Sequence, residues 1–354
     1  MEVGVWGKVC MMRRVTLSRR AALKAAFGAA GVGAVSRSLV VQEGTSAQVS
    51  PSPPSTGVRV VLLGTQGGPN YTATRGECAS ALLVDGMPYL VDCGYGTLAA
   101  LKKAGINHRQ IAYVFISHLH DDHTADLAAL LIRQWTDGRI EPTTVIGPYG
   151  TAKMVDAVIA FGEANAAIRL VDEARSVKPS DMFKGRDIAA TSSPAEVFRD
   201  DRVTVRAIEN THYPAESKQR MPYRSVAYRY DAPGRSIVFS GDTSYSNGLV
   251  ALAKEADVLV CEAMDVAAMR KAFEGMVARG MYADNPEGVW RHIVTTHTPL
   301  EDAGRMAAEA GVRTLVLTHI IPGALDPLPD ETYLTPARKT FRGEVVLGRD
   351  QLVL

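Results

Sequence analysis

Residues 117–123 read Ser117-His118-Leu119-His120-Asp121-Asp122-His123, three imidazoles and two carboxylates within seven positions. An apolar run at 111–116 comes immediately before them and predicts a buried strand. Helical periodicity over 124–134 comes immediately after. Polar groups this dense beside an apolar strand need partners. A solvated loop would offer only water, whereas imidazole and carboxylate are natural ligands of borderline divalent metals such as zinc. A tight loop at a strand end can aim alternating side chains at two adjacent points. His118 and His120 then share one point, while Asp122 and His123 face the other.

Outward from this loop, further candidates stand in similar settings. His212 follows the apolar stretch 203–208, Asp242 follows 236–239, and His319 follows 314–317. Glu262 ends the run 258–261, and His297 follows a helical turn. In α/β folds ligands gather at the C-terminal edges of strands, so these residues can converge. His108 reads as a surface residue and His292, beside Trp290 and Arg291, as a structural one. Asp121, Asp126, Asp265 and, best, Glu262 are candidates to orient the imidazoles. Lys218, Arg220 and Arg224, just past His212, suit an anionic substrate or a solvated loop equally. Met264, Met269, Met276 and Met281, with Phe273 and Tyr282, read first as a buried helical stripe and second as an adaptable pocket wall.

The rest of the chain supplies a scaffold of strands and helices. Strands are expected at 58–63, 143–146, 203–208, 225–230, 236–239, 258–261 and 314–317. Runs at 79–84 and 89–91 around Asp85-Gly86 predict a hairpin. Helices are expected at 97–104, 151–164, 249–255, 266–279 and 299–310, and residues 171–200 read as irregular. Early hairpins giving way to alternation suggest sheets covered by helices on their outer faces.

With 46% hydrophobic and 22% charged residues, the 354-residue chain is not a disordered one. Net charge is +1, but residues 1–47 hold a local +5, which leaves the remainder at −4. That remainder has no global electrostatic reason to bind a polyanion, so no nucleic acid is expected as a partner. Cys10, Cys78, Cys93 and Cys261 show no pairing pattern and read as small buried hydrophobes. Residues 13–24 form a basic stretch, followed to about Val35 by a weakly apolar one too short to span a bilayer, so no stable membrane insertion is expected. Ser18-Arg19-Arg20 with Leu23-Lys24 resembles a twin-arginine export signal. The organisation expected is a signal over 1–41, a flexible Ser/Pro/Gly tether over 42–57 and a folded domain over 58–354, periplasmic or secreted.

With these residues together, the chain resembles the metallo-β-lactamase superfamily over 58–354. Its HxHxDH signature is His118-Leu119-His120-Asp121-Asp122-His123, followed in order by His212, Asp242 and His319. The resemblance implies an αββα sandwich with two metals at one edge, zinc first, with manganese or iron also suited. His118, His120 and His212 would hold one ion. Asp122, His123 and His319 would hold the other, and Asp242 would bridge. Within the superfamily the chain looks like the ribonuclease Z-like branch, which includes arylsulfatases and phosphodiesterases. Leu63-Gly64-Thr65 with Gly67-Gly68-Pro69 and Arg75, the Gly241-Asp242-Thr243 triplet, and His297-Thr298 carry that likeness.

The departures matter. Thirty positions separate His212 from Asp242, too few for the long arm with which tRNA-processing members grip their substrate. Antibiotic-hydrolysing members lack the bridging aspartate. Flavodiiron members carry Glu where His120 stands. The expected function is therefore an exported binuclear hydrolase, attacking a small anionic or ester substrate, a phosphodiester or aryl sulfate, with metal-activated water. Asp122, His297 and Glu262 are the expected catalytic set, His297 stabilising charge or protonating the leaving group. A lactonase, a ribonuclease Z-like RNA 3′-end nuclease and a non-catalytic metal-binding protein are the alternatives. The twin-arginine translocase and a homodimer are the expected protein partners.

Overall fold

Two sheets stack face to face, each half meander and half parallel. The computed structural model describes residues 56–354 apart from Pro69 and Asp326. The first sheet runs β1 (Val58–Gly64), β2 (Ala79–Val84), β3 (Met87–Val91), β4 (Tyr113–Phe115), β5 (Thr143–Pro148) and β6 (Phe183–Ile188), in that order. The second, from its far edge, adds β7 (Ala195–Arg199), β8 (Thr204–Glu209), β9 (Val226–Ala232), β10 (Arg235–Phe239), β11 (Val258–Met264), β12 (Thr314–Ile321) and β13 (Glu344–Leu347). Strands β1–β3 and β7–β10 pair antiparallel; β3–β6 and β10–β13 pair parallel. The Asp85-Gly86 hairpin closes with φ of 48° and 81°, the left-handed pair that a two-residue turn requires.

The helices are α1 (Thr97–Lys103), α2 (Leu127–Thr136), α3 (Thr151–Phe161), α4 (Glu163–Asp172), α5 (Pro179–Met182), α6 (Ala215–Arg220), α7 (Asn247–Leu252), α8 (Val266–Ala278), α9 (Pro286–Thr296), α10 (Leu300–Ala310) and α11 (Asp330–Thr340). Alternation along the strands sorts side chains into three apolar layers. In β1, Val60 and Leu62 join Phe115, Tyr228 and Val260 between the sheets. Val61 and Leu63 face the other way, with Leu101, Leu130 and Trp135 of the outer helices. On the far side Leu259 and Leu317 pack against Leu252, Met306 and Tyr333. Helices therefore cover both outer faces, and the architecture is the expected αββα sandwich.

Some expectations need correction. Residues 171–200 are not irregular: α5, β6 and β7 lie there. Their side chains are half-exposed because β6 and β7 are the edge strands of their sheets, which weakens the apolar pattern. Helices α4, α6, α9 and α11 and strand β13 are additional to the expected set. No helix among the described residues is long and apolar enough to cross a membrane. The export signal read over 1–41, Cys10 within it, the tether up to residue 55, and Pro69 lie outside the described residues.

Candidate metal centre

Strand ends from both sheets build the site. β4 ends at Phe115 and passes the chain to His118–His123, with Asp121–His123 in one 3-10 turn before α2. β8 leads to His212, β10 to Asp242, and β11 and β12 carry Glu262 and His319. In the β11–β12 ladder Glu262 pairs with Thr318 and Ala263 with Ile320, so His319 is an extra, unpaired residue. Its φ is 45°. Such a bulge re-aims one side chain. Here it directs the imidazole Nε2 to Asp122 Oδ2 at 3.1 Å and Asp242 Oδ2 at 3.2 Å.

Two clusters result, both buried apart from His120. His118, His120 and His212 form one; Asp122, His123, Asp242 and His319 form the other. Hydrogen-bond partners assign the ring tautomers. The Thr296 carbonyl can only accept, so His212 Nδ1 donates to it at 3.2 Å and Nε2 keeps the lone pair. The Ser117 hydroxyl donates to Asp92 Oδ2 at 2.9 Å, so it accepts from His118 Nδ1 at 3.0 Å, and His118 Nε2 also keeps a lone pair. Both Nε2 atoms lie 3.1 Å from His120 Nδ1, which can donate to only one of them. His123 Nδ1 donates to Asp92 Oδ2 at 2.9 Å. Its Nε2, without a hydrogen bond, faces Asp242 Oδ1 at 3.2 Å, which has none either. Buried lone pairs aimed at one another are costly unless a cation or proton stands between them. The donor set thus fits divalent metals.

Electrostatics divides the clusters. Burial pushes the ring pKa of His118, His120 and His212 down, the neighbouring imidazoles assisting, so these rings are neutral ligands. Burial acts the same way on His123 and His319, but Asp242 and Asp122 outweigh it and hold both well above the usual histidine range. The same imidazoles overcome burial at Asp122 and Asp242 and hold both carboxyls well below theirs. Gly68 N–H donates to Asp122 Oδ2 at 3.1 Å, and a Cβ there would stand 2.1 Å from that oxygen. Only glycine permits that approach.

His297 and Glu262 form a buried pair beside the clusters. His297 Nδ1 lies 2.8 Å from Glu262 Oε2, and Thr243 N–H donates to Glu262 Oε1. Burial lifts the Glu262 carboxyl above the usual carboxylate range, with His297 opposing, while Glu262 overrides burial to hold His297 above the usual histidine range. A cavity of about 250 Å³ opens over the clusters. His297, Asp122, Asp242 and His120 contribute to its lining, together with the apolar Met269 and Ile293.

Every expected ligand position converges here, as do His297 and Glu262. Asp126 and Asp265 do not orient imidazoles: they accept from Leu98 N and Ala268 N at the starts of α1 and α8. Asp121 is exposed and lines the cavity. Lys218 and Arg224 are committed to Glu209. Met269, Phe273 and Met276 of α8 form a buried cluster with Ile293 and with Met264, which ends β11 instead of lying on a helix; Met269 also lines the cavity, and Met281 is exposed beyond α8. Cys93 and Cys261 are buried as expected, whereas Cys78 is only half-buried and lies beside His123.

Two residues escaped the sequence reading. Asp92, at the end of β3 with φ 58°, binds Ser117 N and His123 and so fixes two rings. His292 is not merely structural. Its ring lies 5.3–6.0 Å from those of His120, His212 and His297, and burial, with His297, pushes it down to about 4. Its place five residues before His297, one helical turn and a half away, was the available signal.

Residues 88–320 match the family model described as a beta-lactamase superfamily domain. A Mycobacterium avium protein named ribonuclease Z is 30% identical over 297 residues, covering 83% of this chain and 96% of that one. The Mycolicibacterium gilvum protein of the same name is 28% identical over 298 residues, covering 83% and 94%. Among solved structures, the short form of human tRNase Z superposes with a TM-score of 0.59 at 25% identity, covering 84% of this chain and 98% of that one.

Proposed function

The chain belongs to the β-lactamase superfamily, and from that premise we propose that it is a binuclear metal-dependent phosphodiesterase of the ribonuclease Z type, acting on RNA. The observation that carries the reading is the pairing of two ligand clusters with a buried His297–Glu262 couple, of which His297 lines the same cavity. Near end-to-end similarity to proteins named ribonuclease Z supports RNA as the substrate. The short interval between His212 and Asp242 argues against a long gripping arm, but not against RNA, since those relatives match over 94–96% of their own length.

His118, His120 and His212 would hold one ion, and Asp122, His123 and His319 the other, with Asp242 between; zinc suits these donors best. Bound there, divalent ions supply Lewis-acid activation of water and neutralise charge on the substrate. Asp92 and Ser117 hold the His118 and His123 rings in the tautomers that present Nε2. Glu262 fixes His297 with its proton on Nδ1, which leaves Nε2 to exchange a proton with the leaving oxygen. Met269 and Ile293 keep water from one wall of the cavity.

A second reading, a small phosphodiester or aryl sulfate hydrolysed after export, is favoured by the basic-then-apolar residues 13–35. One panel separates the two. Metal-loaded protein would be offered a short RNA, bis-p-nitrophenyl phosphate, p-nitrophenyl sulfate and a homoserine lactone, with the N-terminus of the cellular protein mapped in parallel. RNA cleavage that vanishes in His297→Ala, with metal content kept, is the expected result. Turnover confined to the sulfate or the lactone would refute the phosphodiesterase reading. An N-terminus trimmed near residue 34 or 47 would favour the exported enzyme.

A further inference from the structure

The segment after His212 holds three cations that do not share one fate. Glu209 Oε1 lies 2.6 Å from Lys218 Nζ and 3.6 Å from Arg224 Nε. Arg220, at the end of α6, is exposed and makes no side-chain hydrogen bond or ion pair among the described residues. Arg291, on α9, is exposed and equally uncommitted. Both line one cleft of about 820 Å³ between these helices.

Glu216 is the one carboxylate on the cleft wall. Two guanidiniums against it leave the cleft cationic, in a chain that is acidic over residues 48–354. Like charges held apart in a concave wall focus their field on an incoming anion. Guanidinium matches phosphate through paired N–H donors. The cleft also adjoins the cavity over the clusters, because His292 lines both. The His292 ring is only 5.3 Å from that of His212. A strand whose scissile phosphate sits over the clusters would run past His292 into this cleft.

Resting on the phosphodiesterase reading above, we propose that the cleft is a second-phosphate subsite, in which Arg220 and Arg291 hold the phosphate adjoining the scissile one. The enzyme then prefers a polynucleotide to an ester with one phosphate. That preference comes from a site beside the metal clusters rather than from a separate arm.

The test compares the unmodified chain with R220A/R291A and with R220K/R291K. Each would be assayed on a short oligoribonucleotide and on bis-p-nitrophenyl phosphate, which carries one phosphate. In R220A/R291A the ratio of the two kcat/KM values should fall at least tenfold, through KM for the oligonucleotide. R220K/R291K should recover part of it, because lysine keeps the charge but not the paired donors. An equal loss on both substrates, or an unchanged ratio, would overturn the subsite. Anisotropy with a labelled oligonucleotide keeps this result separate from the activity reading. If the unmodified chain cleaves no phosphodiester yet R220A/R291A binds the oligonucleotide at least tenfold more weakly, with a salt slope lower by about 1–2, the subsite stands and the activity reading fails. Equal binding by both proteins would overturn the subsite whatever the activity.

Discussion

The two ligand clusters share one loop but not one chemistry. His118, His120 and His212 offer lone pairs on neutral rings, and the nearest carboxylate contact is Asp242 Oδ2, 3.8 Å from His118 Nε2. The other corner sets two carboxylates against His123 and His319 at 3.1–3.4 Å. A cation at the first corner would be held by three neutral rings and a share of Asp242. One at the second is held by orientation and charge, so the second corner should bind the more tightly. The difference arises from chain geometry: positions 118 and 120 diverge from 122 and 123 where the extended loop becomes a 3-10 turn.

The largest effect should follow loss of the residue that touches both corners. Asp242→Ala is expected to lower metal content at both and to cut kcat/KM by roughly 10³-fold or more, as several kcal/mol of charge stabilisation disappear. Retention of a full metal complement would break the picture of Asp242 as the shared ligand. Next in size is His118→Ala, which should halve the bound metal while the carboxylate corner keeps its ion. Metal analysis after dialysis reads this directly, and loss of both ions would mean that the corners bind as one unit. Smaller again is Asp92→Asn. It removes the charged partner of His123 and should weaken the carboxylate corner about 10–100-fold against a competing chelator. An equal drop at the imidazole corner would show that Asp92 acts there through Ser117 as strongly as through His123.

Much of this site was legible because its signals are local. An alternating His-x-His at the end of an apolar strand states a position and a direction at once, and the other ligands also follow strands. His319 was legible as a residue but not as a bulge, since the register slip depends on β11, more than fifty positions away. Asp92 carried no pattern: it is a single carboxylate whose role exists only once β3 lies beside β4. The outer strands were illegible for a different reason. β6 and β7 each have one neighbour and half-exposed side chains, so the apolar alternation that marks a strand fades at the sheet edge. α11 was hidden by its polar composition and an internal proline, Pro336.

The ligands come from both sheets, and His118 and His319 are about 200 positions apart in the chain. An unfolded polypeptide keeps only the ligands of 118–123 together, so cations that need the full clusters favour the folded state. Folding and metal supply then obey one law of mass action. Each tenfold rise of free metal above its dissociation constant adds about 1.4 kcal/mol to stability, a sizeable share of the 5–15 kcal/mol typical of a domain. A cell starved of metal would therefore lose this protein by proteolysis as well as by idleness, and its abundance would report the metal supply.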